Sequence, residues 1–223
     1  MTIQVISPDD KVVGQASPQF GLDLLLKARS PLSSATTTGI NTYLQSLRDN
    51  AATALERYTF PTTRDEEWRF TNLAPMMELD WSAPVGEEPV GDEPVGDEPV
   101  VTAADLQAYH LSDVGSLLVL VNGEYRADLS TGAAASGITV GALSDPDVAI
   151  AVGPKLQQYL GQQRGLEQTF TTLNTASMTD GVVVWVDKGA VAPQPIHLLY
   201  VSTMGATPNL SHPRCLVVAS ATT

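Results

Sequence analysis

A chain of 223 residues that is 43% hydrophobic is long enough to bury a core in one or two domains. A formal net charge of −13, with only 12 Lys and Arg and none of them clustered, argues against a nucleic-acid or anionic-membrane partner. The one cysteine, Cys215, excludes an intrachain disulfide framework and an all-cysteine metal site. Residues 1–17 lack a basic start followed by an apolar run, and no stretch approaches the roughly 20 apolar residues of a bilayer span. A cytoplasmic protein is expected.

The first long element is a helix. Ile40, Tyr43, Leu44, Leu47, Ala51, Ala54, Leu55 and Tyr58 fall on one stripe of a 3.6-residue period. Thr38 is placed to cap it, and Pro61 bars continuation beyond Phe60. A shorter helix over residues 22–29 is expected to precede it. Residues 61–73 (PTTRDEEWRFTNL) then set Trp68 and Phe70 among Arg64, Asp65, Glu66, Glu67 and Arg69. Rings of this size call for cover while the charges stay wet, so Trp68 is expected to be buried against the helix stripe.

Residues 85–99 repeat as VGEEP, VGDEP, VGDEP. Each unit carries a glycine, a proline and two acids, which favours neither helix nor ladder. A cation- or partner-binding tail is one reading; a self-repelling extended linker is the commoner one. Beyond it, Thr102 and Asp105 have capping-box spacing for a short helix ending near Tyr109. Residues 117–121 and 124–129 flank Asn122–Gly123, whose preference for positive φ predicts a β-hairpin. A strand over 138–143 follows. Asp145–Pro146 starts a helix that continues or restarts after Gly153–Pro154, and Leu166, Phe170 and Leu173 recur at helical spacing.

From Gly181 the chain changes character. Residues 182–186 (VVVWV) are apolar on both faces, as in a strand covered on both sides. Strands over 196–201 and 215–219 follow, with Pro193 and Pro195 before the first of these. Short strands with irregular turns suit a solenoid or a sandwich rather than βαβ units.

The search for chemistry returns candidates and no constellation. His212 and Cys215 are two soft ligands three apart, but His110 and His197 are distant in sequence and a metal needs three or four ligands. Cys215 as a nucleophile lacks an evident oxyanion hole or orienting carboxylate beyond His212. Asp65, Glu66 and Glu67 are adjacent, so they face different directions and read as a helix-terminal charge cluster rather than an acid–base pair. His197 reads as a surface or satisfied core residue, and neither GxxxxGK[ST] nor GxGxxG occurs. No catalytic, cofactor-binding or metal-binding residue is assigned, and the chain is not expected to be an enzyme.

Residues 61–73 resemble the Pro-x-x-[Lys/Arg]-x-Glu-x-Trp-[Lys/Arg]-[Tyr/Phe]-[Thr/Ser]-x-Leu signature of SufD subunits, members of the SufB/SufD family of the SUF iron–sulfur cluster assembly system. Pro61, Arg64, Glu66, Trp68, Arg69, Phe70, Thr71 and Leu73 carry the match. The similarity extends through LLVLVNGEY (117–125), 138–143, LNTASMTDGVVVWV (173–186), PIHLLYV (195–201) and PRCLVV (213–218). The resemblance implies an α+β protein: an N-terminal helical domain followed by a right-handed parallel β-helix, of which this chain would hold the start. It also implies a scaffold role beside a SufB-like subunit and a SufC-like ATPase. The iron–sulfur cluster would belong to the full complex and no cofactor to this chain. Family members are longer, and the cluster-related residues lie in the part without a counterpart here. The acidic repeat departs from the family pattern.

The division expected is a helical domain over 1–84 and the repeat linker over 85–100. A mixed α/β region with a hairpin would cover 101–180, and the first, incomplete β-helix coils 181–223. Ending there would leave the last coil open and prone to self-association. SufB is the nearest rival label; the early Trp68 signature and the absence of a cysteine-rich segment favour SufD. A carbohydrate-binding or carbohydrate-active β-helix and a generic protein-interaction module are the alternatives from other classes.

Overall fold

The apolar stripe forms helix α1 (Thr38–Leu55), which buries Ile40, Leu44, Ala51 and Leu55. The computed structural model describes residues 25–26, 32, 38–79, 101–132, 135–162, 168–203 and 210–220. Leu25 and Leu26 are helical, and Leu25 packs in the cluster that holds Leu55 and Phe60. The remainder of the helix expected over 22–29 and the acidic repeat at 85–99 lie outside the described residues. After α1 come a 3-10 turn (Glu66–Trp68), the short α2 (Ala74–Met77) and α3 (Ala103–Leu106). In α3 the expected capping box forms: Thr102 Oγ1 accepts from the Asp105 N–H, and Asp105 Oδ2 accepts from the Thr102 N–H at 2.9 Å.

Two small sheets follow. In the first, β1 (Ser116–Val121) pairs antiparallel with β2 (Glu124–Tyr125) and β3 (Thr131–Gly132), and parallel with β6 (Ile196–Val201). Asn122 and Gly123 have φ of 52° and 89°, the positive pair that closes the β1–β2 hairpin. The second hairpin strand is shorter than the 124–129 expected, because the chain leaves the ladder into a 3-10 turn at Ala127–Leu129. Arg126 and Asp128 form an ion pair there at 2.6 Å.

In the second sheet, β5 (Val182–Val186) lies between antiparallel β4 (Ile138–Ala142) and parallel β7 (Cys215–Ala219). Helix α4 (Pro146–Leu156) is capped by Asp145, which accepts from the Asp147 N–H. It continues through Pro154 without restarting. Gly153 lets it approach α1: a Cβ there would sit 3.0 Å from Ile40 Cδ1. Helix α5 (Thr169–Ser177) packs along α1.

Burial explains the order of layers. Leu118 and Leu120 of β1 meet Val182 and Val184 of β5 between the sheets. On the far side of β5, Val183 and Trp185 meet α4 and α1 through Val148, Val152, Ile40 and Leu44. On the far side of β1, Leu117 and Val119 are covered by Val101 and Leu106 of the α3 region.

The right-handed parallel β-helix is therefore corrected. Residues 182–186 are apolar on both faces because one face meets a second sheet and the other meets helices, not because coils stack above and below. Each sheet mixes antiparallel and parallel pairs, and neither closes into a repeating coil. The sequence pattern alone allowed a solenoid or a sandwich, and the solenoid choice came from the resemblance. Parity of apolar residues reports that both faces are covered; it does not report by what.

One buried carboxylate fastens the second sheet. Asp180 is 7% exposed and accepts from Ser144 Oγ (2.5 Å), Ser144 N (3.1 Å) and Gly181 N (2.7 Å). Burial raises its carboxyl above the ordinary value, against the pull of those donors. The contact ties the end of β4 to the start of β5. Among the described residues no helix is long and apolar enough to cross a membrane.

Candidate functional site

Among the described residues, the densest polar arrangement lies where α5 ends and the chain enters β7. The side chain of Asn174 braces the incoming strand: its Nδ2 donates to the Pro213 carbonyl at 3.1 Å. Its Oδ1 accepts from Arg214 Nε at 2.9 Å and Nη2 at 2.6 Å. Arg214 Nη2 also donates to Thr175 Oγ1 at 2.7 Å. From α1, Arg48 is 2% exposed and donates from Nε to the Ala176 carbonyl at 3.2 Å. Two guanidinium groups thus meet the last turn of α5, where carbonyls lack helical partners and the helix dipole favours positive charge.

Burial sets the charge states in this junction. Desolvation lowers the Arg214 pKa from its ordinary value, and Arg214 Nη1 is buried without a hydrogen-bond partner among the described residues. His212 is pushed down to about 4, first by burial and then by the charge of Arg48, so its imidazole is neutral near pH 7. The sequence search passed over Arg48, Asn174 and Arg214. A signal existed for Arg48: it falls on the same stripe as Ile40, Leu44, Ala51 and Leu55, where an arginine needs a buried acceptor.

Beside the junction runs a groove of about 890 Å³, lined by β7, by Phe170 and Asn174 of α5, and by Tyr159 and Gln162 beyond α4. Cys215 is exposed at its start. Its thiol hydrogen-bonds with the Tyr200 phenol, and burial pushes the thiol up more than that bond lowers it. Tyr200 is pushed up to about 12 by burial and by the neighbouring thiol. The raised pKa makes the thiolate, the form that attacks or ligates, less available than in a free cysteine.

The remaining candidates stay apart. His212 is influenced by the charge of Arg48, whereas Cys215 is influenced by Tyr200. His110 is exposed after the Gln107–Tyr109 turn. His197 lies on β6 opposite Leu117, with Nδ1 buried and without a hydrogen-bond partner among the described residues. Among the described residues no three His, Cys, Asp or Glu side chains gather as a metal site would require. Asp65 turns back to accept from Thr62 N (2.7 Å) and Thr62 Oγ1 (3.1 Å), which lowers its pKa. Glu66 and Glu67 are exposed in the 3-10 turn.

Trp68 is partly buried, and its cover comes from Phe170 of α5, with ring centroids 5.1 Å apart, which itself packs against the cluster holding Ala51 and Leu55 of the α1 stripe. Phe170 in turn meets Phe60 at 5.5 Å. Phe70 is 92% exposed, its ring approached by the Arg69 guanidinium at 5.1 Å. One ring of the segment is covered and the other is not.

Residues 32–198 match the family model described as the SufBD protein N-terminal region. An iron-sulfur cluster assembly SufBD family protein of Synechocystis sp. is 34% identical over 173 residues. That alignment covers 77% of this chain and 35% of the relative, so the chain spans about a third of that relative's length.

Proposed function

The chain belongs to the SufBD family, and from that membership we propose that it is the N-terminal part of a non-catalytic scaffold subunit in iron–sulfur cluster assembly. The observation that carries this reading is the family match over residues 32–198, which takes in the Trp68 turn, both sheets as far as β6, and the two long helices between β4 and β5. The subunit is SufD-like: Pro61, Arg64, Glu66, Trp68, Arg69, Phe70, Thr71 and Leu73 match the SufD signature. It pairs with a SufB-like subunit and recruits a SufC-like ATPase, and the cluster is cargo of the assembled complex. The residues described here contribute shape. The α1–α5 pair and the two facing sheets hold β6 and β7 in place, and the junction at Asn174 fixes where β7 enters.

Co-expression of the full-length protein with SufB-like and SufC-like proteins of the same genome tests the proposal. A stoichiometric complex that gains an iron–sulfur chromophore on reconstitution, with ATP hydrolysis lost when only the SufC-like protein is omitted, is the expected result. A full-length protein that elutes alone beside a complete complex of the other two overturns it.

A further inference from the structure

We draw no further inference here: the strongest candidate, the groove beside β7 lined by Arg214 and Cys215, carries nothing, because Arg214 is already held by Asn174 and Thr175 with its last nitrogen sealed from solvent, and nothing in the structure shows what covers the strand.

Discussion

Residues 61–73 and the α5–β7 junction are opposite solutions to placing charge. The first carries Arg64, Asp65, Glu66, Glu67 and Arg69, all exposed, and touches the core through Trp68 on Phe170. The second carries Arg48, His212 and Arg214, all buried or half-buried, each answered by a specific acceptor or held neutral. Solvent screens the first set and not the second, so the segment most conspicuous in sequence should matter less to stability than three scattered residues.

The largest loss is expected at Arg48. Arg48→Ala removes a buried stem and leaves the Ala176 carbonyl without its guanidinium, so unfolding should become easier by about 3 kcal/mol. A urea midpoint unchanged from wild type would place the burial of this side chain in doubt.

Next comes a pH effect at the same junction. His212 is held at about 4 when folded against an ordinary 6.5, so the unfolded chain takes up the proton first. Its contribution is present above pH 6.5 and lost as pH falls toward 4, on the order of 3 kcal/mol at most. Asp180 works the other way: its folded pKa is raised, so its contribution is full below the unfolded value and declines as pH rises through the folded one. Stability measured from pH 4 to 7 should therefore rise in wild type and flatten in His212→Gln. It should rise more steeply in Asp180→Asn. A His212→Gln profile parallel to wild type would show that the histidine titrates freely.

Local signals in the sequence were readable because local chemistry decides them. The α1 stripe, the Thr102–Asp105 box, the Asn122–Gly123 turn and the Asp145–Pro146 helix start each involve residues within a few positions of one another. What covers Trp68 and where Arg48 points depend on contacts across more than a hundred residues, and β5 takes its partners from strands that are distant in sequence, as in Ile138 opposite Val186 and Val182 opposite Cys215. The solenoid expectation failed for that reason: strand periodicity is the same whether the far face meets a coil, a sheet or a helix. Cys215 has the look of a soft ligand in sequence, yet its neighbour Tyr200 lies on another strand and could not be read from nearby residues.

The smallest effects are expected in the charged turn. Trp68→Ala loses a half-buried stack and should cost about 1–2 kcal/mol, while Phe70→Ala should fall within about 0.5 kcal/mol of wild type. The reverse ranking, read from urea midpoints, would mean that Phe70 and not Trp68 carries the packing of this segment.

The contrast between the two regions rests most directly on one pair of denaturation curves. Asn174→Ala changes no charge but strips Arg214 of its brace, and should lower stability by about 2 kcal/mol. The fourfold replacement of Arg64, Glu66, Glu67 and Arg69 by glutamine also leaves net charge unchanged, and should leave the urea midpoint near that of wild type. A midpoint that falls further in the fourfold variant than in Asn174→Ala would contradict the account.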